Sequence, residues 1–214
     1  MTGSLVSPAT RQRVRDLATP IATALGRLGL TPNALTLIGF IGTCVAAFAA
    51  GFQQWLVAGV LVLVFGIFDL FDGTLARATG RATKLGAFLD STFDRAGEGI
   101  VYIGIAAGCL AAGFDAGVVL AATAMTASFM VSYTRAKAES LGFAPGSGLM
   151  NVGVAPREVR VVILALGLFL AGLTASGVDS AGGGLAAALG LITILATITT
   201  IQRTVDVRAH AKEG

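Results

Sequence analysis

Six stretches of this chain read as apolar runs long enough to cross a membrane: residues 32–52, 55–77, 84–112, 115–138, 157–177 and 184–205. A helix needs about 20 such residues to span a hydrocarbon core about 30 Å thick. Backbone N–H and C=O groups find no water there, so a spanning segment is either a helix or a strand of a closed barrel. The runs are continuous rather than alternating, which excludes barrel strands. Charged residues make up 13% of the chain against 55% hydrophobic ones, roughly half the charge of a soluble domain. The expectation is an all-α integral membrane protein with six transmembrane helices.

The charges then orient the spans. The connections GFQQW, GFDAG and TASGVDSAGGG, after spans one, three and five, contain no Lys or Arg. All 15 basic residues sit in the N-terminal segment, the other two connections, the C-terminal tail or the adjoining span halves. The positive-inside rule places both termini in the cytoplasm, in the cell membrane. The first residues, MTGSLVSPATRQRVRD, are followed by no short apolar core, so no signal peptide is expected. Val14, Leu17, Ile21, Leu25 and Leu28 recur at helical spacing, with Arg11, Arg15 and Arg27 on other faces. That pattern suits an amphipathic helix lying in the interface. Thr19-Pro20 reads as its start or kink with Thr19 as N-cap, and Thr31-Pro32 as the start of span one. The chain thus divides into a cytoplasmic N-terminus (1–31), a membrane domain (32–205) and a tail (206–214). A net charge of +3 without basic runs gives no reason to expect nucleic acid. Cys44 and Cys109 lie in apolar runs and read as small buried hydrophobes. His210 is expected to be solvated in the tail, and 180–184 to form a flexible turn.

Four aspartates stand out where carboxylates are costly. At 1.5 Å per residue, Asp69 lies about 21 Å along span two from Trp55 and Asp72 about 26 Å, while Asp94 and Asp90 lie about 29 and 34 Å back from Gly113. All four therefore approach the cytoplasmic edge. Asp69 and Asp72 are i, i+3, and Asp90 and Asp94 are i, i+4, so each pair shares a helix face. Two antiparallel neighbours would aim those faces at each other. Two carboxylates about 5 Å apart repel by about 3 kcal/mol at an effective dielectric near 20. Divalent cations relieve this with oxygen ligands, and intramembrane acids point to function by default. Gly73 leaves room against the helix after Asp72. Arg77, one turn on, is placed for a bidentate phosphate contact. Gly86, one turn before Asp90, lets the facing helix come close.

The run Asp69-x2-Asp72-Gly73-x2-Ala76-Arg77-x8-Gly86-x3-Asp90-x3-Asp94 resembles, at every defining position, the signature of the CDP-alcohol phosphatidyltransferases. The resemblance implies two divalent cations, Mg²⁺ or Mn²⁺, held by Asp69, Asp72 and Asp90, with Asp94 as general base and also near a metal. It implies CDP contacts from Gly73 and Arg77, and Asn33 and Thr36 are similar to a segment near the nucleotide in some relatives. The donor it implies is a CDP-linked lipid, CDP-diacylglycerol or a related one. An alcohol attacks the lipid-linked phosphorus and CMP leaves. Relatives are homodimers, and a dimer is expected here. The chemistry fits the residues: the hydroxyl must lose a proton as it bonds, and metals neutralise and align a diphosphate.

The acceptor is read from a second cluster. Arg135, Arg157, Arg160 and Arg203 converge near the cytoplasmic ends of spans four, five and six. Such arginines suit an acceptor carrying its own phosphate. The segments resemble the branch that makes phosphatidylinositol phosphate from inositol phosphate, which often has Lys where this chain has Arg135. That branch commonly reads Arg-Pro-Glu-Arg where this chain reads Arg157-Glu158-Val159-Arg160. Glycerol 3-phosphate, the acceptor of phosphatidylglycerophosphate synthases, is the alternative. A transporter would carry its acids nearer the midplane, on broken helices. A membrane scaffold packed through Gly104-x3-Gly108 would have no use for the aspartate set.

Overall fold

The structure is a computed structural model. It describes residues 8–143, 153–173 and 178–211, with the side chains at 8–12, 14–16, 69–70 and 178–181 left out of the description. Seven helices are found among the described residues: α1 (Pro8–Arg27), α2 (Pro32–Gly51), α3 (Trp55–Ala78), α4 (Lys84–Ala111), α5 (Asp115–Ser140), α6 (Arg157–Leu173) and α7 (Val178–His210). Local chemistry sets the starts of α2 and α4. Thr31, in extended conformation, accepts from the Ala34 N–H at 3.2 Å ahead of Pro32, and Thr83 accepts from the Gly86 N–H at 3.0 Å.

α2 packs on α3 and α4, α3 on α6, α4 on α5, and both α5 and α6 on α7. These contacts close a ring in the order α2–α3–α6–α7–α5–α4. Ala46, Ala50, Ile105, Leu168 and Leu189 lie in its apolar core. The outer faces are apolar too: Leu37, Ile41, Val45 and Phe48 form an exposed stripe along α2. On a water-soluble chain such a stripe would be a large exposed patch; it suits lipid surroundings instead. Among the described residues, four helices are long and apolar enough to span a membrane: Pro32–Gly51, Trp55–Ala78, Asp115–Ser140 and Gly182–His210. α4 misses on composition, since it carries Lys84, Asp90, Asp94, Arg95 and Glu98. α6 is short, at 17 described residues.

The structure corrects three expectations. α1 runs unbroken through Thr19 and Pro20. Ala18 and Ala22, on either side of Pro20, are buried with Phe71 and Leu75 of α3, and this packing carries the helix past the missing N–H. Leu17, Ile21 and Leu28 stay exposed, while the Val14 side chain lies outside the description. Residues 180–184 belong to α7 rather than to a turn, because a backbone short of water keeps its hydrogen bonds by staying helical even through glycines. Finally, α3 and α4 are not packed extensively on each other; α2 lies against both.

Close approach of α2 and α4 depends on glycine. A Cβ on Gly104 would collide with the Ala47 carbonyl, and one on Gly108 with the Ala50 carbonyl and the Trp55 ring. The Gly104-x3-Gly108 pair therefore packs two helices of one chain. Gly104→Val should cost about 1–3 kcal/mol of stability through overpacking, seen as a lower melting temperature in detergent. Gly190→Ala, where nothing lies within 4 Å of the added carbon, should not. Equal shifts in the two variants would contradict this packing.

Candidate active site

One end of the bundle gathers the starts of α2, α4 and α6 with the ends of α3, α5 and α7, and the polar residues sit there. Asp72, near the end of α3, is only 4% exposed. Its Oδ2 accepts from Thr36 Oγ1 of α2 at 2.6 Å, and its Oδ1 accepts from the Gly73 N–H. A charged acceptor so buried is held by such charge-assisted bonds. Arg77 folds back over Gly73: a Cβ there would lie 3.4 Å from its Nη1, and Nη2 donates to Thr74 Oγ1 at 3.4 Å. Across the cleft, a Cβ on Gly86 would lie 3.3 Å from Asn33 Oδ1, so the absent side chain lets the start of α2 approach α4.

Asp94 comes to the same place from α4. Asp72, Asp94, Thr36 and Arg157 line one cleft of about 310 Å³, together with the tilted rings of Phe40 and Phe93, 4.9 Å apart. Asp94 Oδ1 is 2.9 Å from Arg157 Nη1, and Oδ2 is 3.4 Å from Arg95 Nη2. Asp90 lies one turn before Asp94 on α4 and is partly buried. Asp72 and Asp94 thus meet at a cleft that α2 and α6 also line, not across an extensive α3–α4 contact. The Asp69 side chain lies outside the described residues; its backbone is one turn before Asp72.

The arginines occupy different settings. Arg157 faces the cleft and Asp94. Arg160, 2% exposed, binds Glu98 through Nε at 3.1 Å and through Nη2 at 2.9 and 3.2 Å, and the Ala155 carbonyl through Nη1 at 3.0 Å. Arg203, also buried, donates to the Val131 carbonyl of α5, within electrostatic range of Arg135 and Arg160. Arg135 pairs along its own helix with Glu139 at 2.8 Å. His210 contacts the Asp206 carbonyl at 2.9 Å in the last turn of α7 and keeps a side chain 40% exposed, as expected of a solvated tail. Glu98 was not singled out by sequence reasoning, although the signal was present: it continues the i, i+4 series of Asp90 and Asp94 into an apolar run.

Carboxylates of Asp72 and Asp94 on opposite walls of a polar cleft are the hard oxygen donors that Mg²⁺ and Mn²⁺ take, with Asp90 on the face that carries Asp94. Among the described residues no three acidic, His or Cys side chains are close enough to hold an ion together; the Asp69 side chain lies outside the described residues. The donor chemistry fits, and an ion reaching Asp94 would exchange with its arginine partners.

The sequence matches the family described as CDP-alcohol phosphatidyltransferase over residues 29–202, most of the chain and every cleft residue described above. The chain belongs to the CDP-alcohol phosphatidyltransferase family. Within it, the chain is similar to the archaetidylinositol phosphate synthase of Pyrococcus horikoshii, 35% identical over 204 residues that cover 95% of this chain and 97% of that one. It is also similar to the crystal structure of Mycobacterium tuberculosis phosphatidylinositol phosphate synthase with CDP-DAG bound. There the TM-score is 0.75 at 29% identity, covering 90% of this chain and 94% of that chain. The same Mycobacterium tuberculosis enzyme in complex with manganese and citrate gives 0.73 at 28%, covering 89% and 88%. As a CDP-alcohol phosphatidyltransferase the chain is an enzyme, and its four apolar helices make it a membrane protein.

Proposed function

We propose that the chain transfers the phosphatidyl group of CDP-diacylglycerol, or a related CDP-lipid, to a hydroxyl of inositol phosphate, giving phosphatidylinositol phosphate and CMP. The observation that carries this is the meeting of Asp72, Asp94 and Arg157 at one cleft. It joins the carboxylates a diphosphate site needs to an arginine suited to a second phosphate. Asp69, Asp72, Asp90 and Asp94 hold two divalent cations. Bound there, the ions neutralise the diphosphate and align the reacting groups. Asn33, Thr36, Gly73 and Arg77 hold the CDP portion. Asp94 takes the proton of the attacking hydroxyl as its oxygen bonds to the lipid-linked phosphorus, and the bond from that phosphorus to CMP breaks. Arg157, with Arg135 and Arg203, receives the acceptor's phosphate, and Arg160 supports them from below.

The membrane arrangement belongs to the same proposal. α2 to α7 make six spans forming the domain at 32–205, with α1 in the interface, residues 1–31 and 206–214 cytoplasmic, and the enzyme a homodimer in the cell membrane. The basic residues at one set of helix ends support this orientation. Lipid tails then stay in the bilayer while the headgroup chemistry meets soluble acceptor.

The test offers purified enzyme CDP-diacylglycerol and Mn²⁺ with inositol phosphate, glycerol 3-phosphate, inositol or serine, and follows CMP. Release with inositol phosphate well above the rest is expected. Preference for glycerol 3-phosphate would make this a phosphatidylglycerophosphate synthase, and use of inositol or serine would remove the phosphate-binding role of the arginines. Arg157→Ala should raise the acceptor KM by about tenfold or more, the worth of one charge-assisted contact, with the CDP-lipid KM little changed. The reverse pattern would move Arg157 out of the acceptor site.

A further inference from the structure

Glu98 is a buried carboxylate that the proposed transfer does not use, and it binds two arginines of the site. Its carboxylate is 8% exposed. Oε1 accepts from Arg160 Nε and Nη2, and Oε2 from Arg160 Nη2 and from Arg95 Nη1 at 3.0 Å. Arg95 in turn donates to Ser132 Oγ of α5 and reaches Asp94. The far side of Arg160 is fixed as well. Its Nη1 donates to the Ala155 carbonyl, and the Ala155 N–H donates to Thr199 Oγ1 of α7 at 3.0 Å. Just before, Gly153 turns with φ +125°, where a Cβ would collide with Thr199. One carboxylate thus ties α4 to α5 through Arg95, and to α6 and α7 through Arg160.

Charge makes this necessary. Arg95, Arg157 and Arg160 share this space with the two carboxylates Asp94 and Glu98. A cation as buried as Arg160 is tolerated only against a well-bonded anion, and a guanidinium offers five N–H groups. Glu98 and Ala155 use four of those on Arg160. Arg157 is one turn away on α6 and lines both the Asp72–Asp94 cleft and a second cleft of about 430 Å³ that Glu98, Arg160 and Tyr102 also border.

We propose that Glu98 is a positioning residue. By holding Arg160 and Arg95 as fixed cations, it makes Arg157 the α6 arginine that meets the acceptor's phosphate, and it keeps the other two from competing for Asp94. This rests on the acceptor reading above. Without the Glu98 charge, the described carboxylate already beside Arg95 is Asp94, at 3.4 Å and one turn before Glu98 on α4. Arg157 then loses its place beside the base.

The test compares wild type, Glu98→Asp, Glu98→Gln, Arg160→Gln and the neutral pair Glu98→Gln/Arg160→Gln. The readouts are the KM for inositol phosphate, the KM for CDP-diacylglycerol and the melting temperature in detergent. Glu98→Asp keeps the charge but shortens the reach. It should raise the acceptor KM by about tenfold, the usual scale for residues supporting a ligand-binding group, at a CDP-lipid KM near wild type. Glu98→Gln should do worse, and the neutral pair should recover most of the acceptor KM, because no buried cation is left unpaired. Two results would overturn the proposal. One is an acceptor KM in the neutral pair worse than in Glu98→Gln, which would make Arg160 itself the phosphate ligand. The other is a fall in melting temperature with both KM values moving together or not at all, which would make Glu98 purely structural. Should Glu98→Gln fail to fold, Glu98→Asp and the neutral pair decide on the same criteria. A wild-type enzyme releasing no CMP with any acceptor would instead sink the proposed transfer, so the two failures are distinguishable.

Discussion

An Asp94→Asn variant should lose transfer by about a hundred- to ten-thousandfold, the range that a positioned general base contributes, while still binding CDP-lipid. The substitution is nearly isosteric, so the cleft keeps its shape. What disappears is the proton acceptor, together with the negative charge that Arg157 and Arg95 now bind at 2.9 and 3.4 Å. Freed of Asp94, Arg157 remains available to an incoming phosphate, so the loss should fall on kcat rather than on donor affinity. Single-turnover CMP release beside equilibrium binding of CDP-diacylglycerol separates the two. Turnover near wild type would remove Asp94 from the base role.

Asp72→Asn should act differently. Asp72 is the most buried of the described aspartates, and Thr36 and the Gly73 N–H hold its carboxylate in place. Hydroxyl and amide donors aimed at a carboxylate fix its direction, which is what an ion ligand requires. Asparagine would accept those bonds only in part and would bring no charge. The midpoint of a Mn²⁺ titration of activity should move up by at least about tenfold, since even partners one step removed from a metal are worth that much. CDP-lipid affinity should fall with it. An unchanged midpoint would mean that Asp72 is no ligand.

Sequence alone located the helices well because lipid leaves the backbone few choices. The boundaries expected at Pro32, Trp55, Lys84, Asp115 and Arg157 are the boundaries found, and the Thr31 cap is in place. Local preference misleads where packing overrules it. Pro20 signals a break by itself, but α1 continues through it because Ala18 and Ala22 are seated on α3. The glycines of 180–184 signal a turn in water, yet they lie inside α7. Helix order around the bundle was the larger gap. The two spans that carry the aspartates suggest a facing pair, but α2 lies against both α3 and α4, and periodicity carries no information about which faces meet.

The site followed the same division. Depth and spacing along each helix were enough to predict that Asp72 and Asp94 come to one end of the bundle. The distinct settings of Arg157 and Arg160 were not legible, since i, i+3 spacing puts both on one face. Only the partner helix decides that one meets Asp94 and the other Glu98.

CMP release from CDP-diacylglycerol and inositol phosphate, measured on the purified enzyme before and after chelation and again after Mn²⁺ is restored, tests the central claim most directly. Release should stop with the ions removed and return with them. Release that continues at full rate under chelation would contradict a transferase built on these aspartates.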